Sequence, residues 1–272
     1  QRRRRNQEET EGNRAQHETG VKGTMFLRNR RRSGVSSQRI PFVAVLLAAA
    51  TSACGHPSPP PTPATASGQP GPGYQEPRHH LVYRNPLVRV LDVRIPAGDT
   101  SAYHVHDAPM VGVVIQDART WSQVPGAPAG PARAPPPAPS AFTNWTQELP
   151  YTHRVGNADS VPLHYVVAEW LGRKGGEVPA LPNDKDRRLV EDGPTMRVYQ
   201  ITLEPHAATW PHTHVGPGLV VQATAGDLTD DGGPRAHGGS GAGSWSWREG
   251  PYRHRLRNAG PRKLVVYEID WR

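Results

Sequence analysis

The sequence predicts an all-β protein built twice over, one sandwich or barrel per half, and three observations carry that expectation. First, apolar residues alternate: Leu91, Val93 and Ile95 keep a period of two, and Tyr199, Ile201 and Leu203 keep it again. That is the period of a strand with one buried face. Second, VGVVIQ, LHYVVAEW, GLVVQA and KLVVYEI are short β-branched runs suited to buried strands, and no long amphipathic helix accompanies them. Thirty prolines and 28 glycines, against 35% hydrophobic residues, point the same way, to many turns and some unstructured sequence. Third, the later part of the chain repeats itself.

A shift of 108 residues superposes LVYRNPLVRVLDVRIPAGDTSAYHVH, from Leu81, on LVEDGPTMRVYQITLEPHAATWPHTH, from Leu189. Further on the shift is 101: PYTHRVGN at 150–157 meets PYRHRLRN at 251–258, and Trp170 meets Trp271. The difference is absorbed between the motifs. A Pro/Ala-rich insert at 124–142 and a Gly-rich one at 229–244 stand there, and both read as loops. The repeat divides the folded part into domains at 79–172 and 185–272, joined by a linker at 173–184.

The amino-terminal third has a different character. Residues 1–24 are polar and charged, and read as disordered or as an over-extended start, with Met25 the better beginning. Residues 25–53 combine Arg28, Arg30, Arg31 and Arg32 with the apolar run Ile40–Ala50 and then small residues, the pattern of a secretory signal. The apolar run of 11 residues is too short to span a bilayer as a helix. Residues 54–78 form a Pro-rich tether, and His56 and the His79–His80 pair at its ends read as solvated linker residues.

The formal charge of +8 sits almost wholly in this region: residues 1–53 carry +7 and the remainder +1. No basic stripe crosses the folded part, which argues against nucleic-acid binding. The single cysteine, Cys54, excludes an intrachain disulfide and a Cys-rich metal site.

Each half presents the same three histidines in the same order: His104, His106 and His153, then His212, His214 and His254. Histidines two apart on a strand project from one face, so each His-x-His can hold one ion, and a third imidazole from a later strand closes a facial triad. Three protein ligands leave positions for water or substrate. Neutral imidazoles leave the charge of a divalent cation uncancelled, which favours an anionic small-molecule ligand. Packing of half-buried histidines is the plain alternative. Asn157 and Asn258 lie four residues beyond a ligand candidate, as pocket residues or, more simply, strand-end caps. Trp145 and Trp210 are candidate pocket walls, although aromatic residues near a barrel mouth are more often packing. His164, His206 and His237 read as structural or solvated.

At these motifs the sequence resembles the cupin superfamily, and the duplication resembles a bicupin. Gly98 stands at the family's distance before His104 and His106, Gly226 fits the closing glycine of the second copy, and both later motifs end in His, three residues, Asn. The resemblance covers about residues 81–272 and implies two tandem double-stranded β-helix (jelly-roll) barrels, each with a metal site in its mouth. The family's glutamate would fall near Met110 or Val111 and near Gly218 or Leu219, where no acid stands. Asp107 follows His106 directly and faces away from it. The resemblance therefore implies three-histidine sites, similar to those of diketone- and thiol-dioxygenases, with Fe(II) the favoured metal and Zn, Ni, Mn or Cu as alternatives. The segment ending at Cys54 resembles a bacterial lipoprotein signal, apart from Thr51 where Leu is usual, so plain secretion stays open. The expectation is an exported bicupin of the periplasm or cell envelope that meets the membrane only through a lipid on Cys54. It would bind a divalent metal through three histidines per domain and act on a small anionic substrate in a dioxygenase-like way. The alternatives are a non-catalytic metal- or ligand-binding cupin and a bicupin with dead sites. A homodimer stays open.

Overall fold

A strand shows alternate residues to opposite faces, and in this chain both faces of the long strands are covered. The computed structural model describes residues 69–134, 137–173, 176–233 and 240–272, so the signal segment, Cys54 and His237 lie outside the described residues. In the first half, β2 (His79–Arg84), β3 (Val88–Ile95), β9 (Leu163–Trp170), β5 (Met110–Gln116) and β7 (Ser140–Thr143) form one sheet in that order. The facing sheet runs β1 (Gly71–Pro72), β4 (His104–His106), β8 (Tyr151–Asn157), β6 (Thr120–Gln123).

The second half repeats this plan. One sheet runs β10 (Arg187–Asp192), β11 (Met196–Leu203), β17 (Leu264–Trp271), β13 (Gly218–Gln222), β15 (Trp245–Arg248). The other runs β12 (His212–His214), β16 (Tyr252–Asn258), β14 (Leu228–Asp231). Every pairing is antiparallel except β1 with β4. The chain is all-β, two tandem jelly-roll barrels, as the repeat and the period of two predict.

Register shows how the repeat is built. Leu91, Val93 and Ile95 point into the first barrel with Leu163 and Val167, and Ile201, Leu203, Leu264 and Val266 do the same in the second. The alternate residues Val88, Val90, Val166, Ala168 and Trp170 point outward. There they join Met196, Val198, Tyr267, Ile269 and Trp271 in one buried cluster, so the two five-stranded sheets cover each other within one chain. Trp170 and Trp271, repeat equivalents, stack at 5.4 Å across this seam, and Tyr267 donates its hydroxyl to Pro139 O. Burial on both faces explains why these strands read as continuous apolar runs. Truncating Trp271, which is fully buried, would cost about 3–5 kcal/mol.

Two boundaries differ from the sequence reading. The fold reaches back into the tether: β1 pairs with β4, a 3-10 turn follows at Gly73–Gln75, and Glu76 is buried. The proline-rich composition hid this because a two-residue strand and one turn leave no periodicity. The two inserts are not wholly loops either: β7 takes the end of the first and β14 the start of the second.

Candidate metal centres

The short strands β4 and β12 carry the His-x-His pairs, and register sets the third histidine opposite them. His104 pairs with His153 across β4 and β8, and His212 with His254 across β12 and β16. The ring centroids of His153 lie 4.8 Å from His104 and 5.2 Å from His106. Those of His254 lie 4.3 Å from His212 and 5.1 Å from His214. Each half thus gathers its three predicted histidines.

A fourth group joins each set, and it differs between the barrels. In the first it is His79, whose ring centroid is 4.4 Å from that of His104; the buried ligand atoms of His79, His104 and His106 fall within 4.8 Å of one another, a set that does not include His153, whose ring lies beside it. The reading of His79 as a solvated linker residue is therefore corrected: it is buried on β2 and faces the site, whereas His80 is exposed. In the second barrel the fourth group is Glu268 on β17, with Oε1 3.0 Å from His254 Nε2 and Oε2 3.3 Å from His212 Nε2. The expectation of three histidines without an acid is corrected here too. The carboxylate comes from the last strand rather than from the strand after the His-x-His. A mid-strand acid in the buried run KLVVYEI was the available signal, because a buried carboxylate needs partners.

The outer nitrogens show how the rings are aimed. His104 Nδ1 donates to Ala102 O at 2.9 Å, His79 Nδ1 meets Glu76 Oε2 at 2.6 Å, His106 Nδ1 meets Glu169 Oε1 at 3.1 Å, and His153 Nδ1 meets Ser122 Oγ at 3.2 Å. In the second barrel Trp210 O, Asp270 and Asp230 hold Nδ1 of His212, His214 and His254 at 2.9, 2.7 and 2.9 Å. Carbonyl and carboxylate oxygens only accept, so on a neutral His79, His104 or His106 ring the proton belongs on Nδ1 and the inward Nε2 keeps its lone pair, whereas in the second barrel Glu268 accepts from Nε2 of His212 and His254. Yet His104 Nε2 stands 3.1 Å from His106 Nε2, and His214 Nε2 stands 3.1 Å from His254 Nε2. In the first barrel, lone pairs that converge so closely repel unless a metal cation or a shared proton sits between them. Outer-shell carboxylates and carbonyls on the far ring nitrogen are the usual companions of metal-ligating histidines.

Burial, and then the neighbouring imidazoles, hold His104 down to about 3 and His153 down to about 2. Burial also lowers His254. Burial would raise the Glu268 carboxyl, but hydrogen bonds from His212 and His254 hold it well below the usual carboxylate range. Neutral imidazoles and an ionised carboxylate are the forms that bind metal, so both donor sets fit a divalent cation. The first is all nitrogen and the second mixed.

The surroundings differ as well. A cavity of about 350 Å³ opens beside the first cluster, walled by His79, His106 and His153 and otherwise by largely apolar side chains, including Val93, Ile95, Val114, Phe142 and Leu163. In the second barrel the equivalents of Val93 and Ile95 are Ile201 and Leu203, fully buried with Leu256, Leu264 and Val266. Arg187 takes the place of His79 there, its Nε 3.8 Å from Glu268 Oε2.

The weaker pocket assignments fall elsewhere. Asn157 donates to Ile95 O and Val161 O, and Asn258 to Leu203 O, Glu204 O and Arg262 O, so both brace strand ends outside the cavity. Trp145 packs on the seam between the barrels, against Gly193. Trp210 is 75% exposed and contributes only its carbonyl. Asp107 turns away to pair with Arg89, as its place in the strand requires. His164 bonds Asp92 on the neighbouring strand.

Paired antiparallel sheets closed into barrels, with histidines converging inside from facing strands, define a cupin-type fold. AerE from Microcystis aeruginosa is similar over 72% of this chain and 98% of its own, with a TM-score of 0.51 and 12% identity. YhaK from Escherichia coli (TM-score 0.48, 12% identity, 70% of this chain and 87% of that one) also aligns. So does salicylate 1,2-dioxygenase from Pseudaminobacter salicylatoxidans (0.47, 9%, 69% and 72%). At 12% identity the likeness to AerE speaks for the fold alone. No protein-family model and no curated protein matches the sequence.

Proposed function

We propose that the first barrel binds a divalent transition metal through His79, His104, His106 and His153 and presents it to a small organic ligand in the adjoining cavity. The observation that carries this reading is the convergence of ring nitrogens, His104 Nε2 on His106 Nε2 at 3.1 Å, at the edge of a cavity of about 350 Å³. A volume of that order suits a small ligand. The second barrel is proposed to hold its own cation through His212, His214, His254 and Glu268, in a packed interior where a structural role fits better than turnover.

For the first centre we favour a dioxygenase-like oxidoreductase using Fe(II). A bound cation supplies Lewis acidity there, and iron adds redox capacity. The chain's own residues do the rest. The four imidazoles would hold the cation without cancelling its charge, which would favour an anionic ligand. The outer partners Glu76 and Glu169 fix the rings, and the apolar wall keeps water from the ligand. Export with a lipid on Cys54 remains part of the proposal and rests on the Arg-rich segment and apolar run before that cysteine.

The test is metal analysis of the purified full-length chain after exposure to Fe(II) and to Zn(II). Two equivalents support the reading, and none sinks it. Oxygen uptake by the Fe(II) form with a panel of small diketones, thiols and aromatic acids then decides between an oxygenase and a non-catalytic binding protein.

A further inference from the structure

Apart from the histidines, the described residues that line the cavity of the first barrel include three with polar side chains: Thr120, Tyr165 and Arg133, the last exposed to solvent. Arg133 lies in the Pro/Ala-rich insert, yet its backbone is fixed. Its N–H donates to Thr120 O at 2.8 Å, and its carbonyl accepts from Thr120 N at 3.0 Å. Its guanidinium has no hydrogen-bond or ion-pair partner among the described residues, whereas nearby Arg119 is paired with Asp159. The Tyr165 hydroxyl likewise has no hydrogen-bond partner among the described residues. Burial, and then Asp117, push this phenol up to about 12, so it is a donor.

Thr120 lies opposite Asn157, four residues along β8 from His153. At roughly 3.3 Å per residue the backbone anchor of Arg133 is about 13 Å along the strand from the histidine cluster. The cavity therefore has two chemically distinct ends with apolar wall between them. A single unpaired guanidinium matches a monoanion. A phosphate dianion would call for more donors.

We propose that this cavity takes a small monocarboxylate with an apolar body, its carboxylate held by Arg133 and its other end turned to the histidine cluster. The proposal deepens the ligand-binding reading of the first centre and rests on it.

The test is calorimetric titration of the full-length, Zn(II)-loaded chain with hexanoate, benzoate and 3-phenylpropionate, each against its amide. The wild type should prefer at least one acid, and Arg133→Gln should weaken that acid by about ten- to a hundredfold while leaving its amide within about twofold. Arg133→Lys should recover part of the loss. Equal binding of acids and amides, no binding of any acid, or an unchanged preference in Arg133→Gln would overturn the assignment. Zinc content measured on the same samples separates the outcomes: full zinc with no acid preference defeats only this inference, and absent zinc defeats the metal reading.

Discussion

Val167 and Glu268 occupy the same place in the last strand of their barrels: Val167 pairs with Leu91, and Glu268 pairs with Leu91's repeat equivalent, Tyr199. Across the same sheets His79 and Arg187 are likewise equivalent, opposite Val93 and Ile201. The two exchanges compensate. Where the last strand supplies a carboxylate, the first strand supplies an arginine, and where it supplies valine, the first strand supplies a fourth imidazole. The two copies thus share three histidines and differ at the fourth group.

Two independent sites should titrate separately. His153→Ala should remove one metal equivalent and Glu268→Gln the other, each leaving its counterpart within about twofold, since sites that share no partners behave additively. Metal content by mass spectrometry checks this. In the Co(II) form, loss of the mixed nitrogen–oxygen spectrum in Glu268→Gln, with the all-nitrogen one retained, identifies the sites. Loss of both equivalents in either variant would mean that the sites are coupled or the fold has failed, which circular dichroism resolves.

Glu76 belongs to the first site although it touches no inward atom. Its Oε2 holds His79 Nδ1 at 2.6 Å while Oε1 accepts from Ala102 N at 3.0 Å, tying the start of the fold to the loop before His104. Burial would raise this carboxyl, but His79 and two backbone amides hold it below the usual range. Glu76→Gln should weaken metal binding at the first site by about ten- to a hundredfold, the usual effect of losing an outer-shell partner. The second site should not change. Competition with a chromophoric chelator measures both.

The metal-free protein should lose stability in mild acid, and the sign follows from the imidazoles. His104 at about 3 and His153 at about 2 stay neutral when folded, while the unfolded chain protonates them below about 6.5. Below that pH the unfolded state binds more protons, so each residue removes up to about 1.4 kcal/mol per pH unit until its folded value is reached. The urea midpoint of chelator-treated protein should therefore fall from pH 6.5 to pH 5, and less steeply in His153→Gln. A flat profile in the wild type would contradict the burial of these rings.

What was legible in the sequence followed period and repetition. The period of two placed Leu91, Val93 and Ile95 inside, and the copied His-x-His and His-x3-Asn motifs placed six histidines in two clusters. The fourth groups stayed hidden for physical reasons. His79 lies at the end of a tether where composition outweighs pattern, and its repeat partner is Arg187, so self-comparison does not flag it. Glu268 pairs with Val167 under the same comparison. A position at which the two copies differ is invisible to a search for what they share. Arg133 stands in low-complexity sequence, and only the bridge to Thr120 places it at the cavity.

One divergence between the copies carries strain instead of function. Gly98 and His206 are equivalent, each the third residue of a tight turn: Asp99 N bonds Pro96 O at 3.1 Å, and Ala207 N bonds Glu204 O at 3.0 Å. Both are left-handed, with φ of 70° and 62°. That position of the turn suits glycine, and a side chain there costs about 1–2 kcal/mol, partly offset by the greater freedom glycine has in the unfolded chain. His206→Gly should therefore stabilise the protein by about 0.5–1 kcal/mol. Gly98→Ala should destabilise it by a similar amount through backbone strain alone, because a Cβ at Gly98 would meet nothing within 4 Å. Paired thermal unfolding should show opposite shifts of about 2–4 °C per kcal/mol, with metal content unchanged in both variants. A loss of metal in His206→Gly would instead give that histidine a role at the second centre, where the structure places none of its contacts.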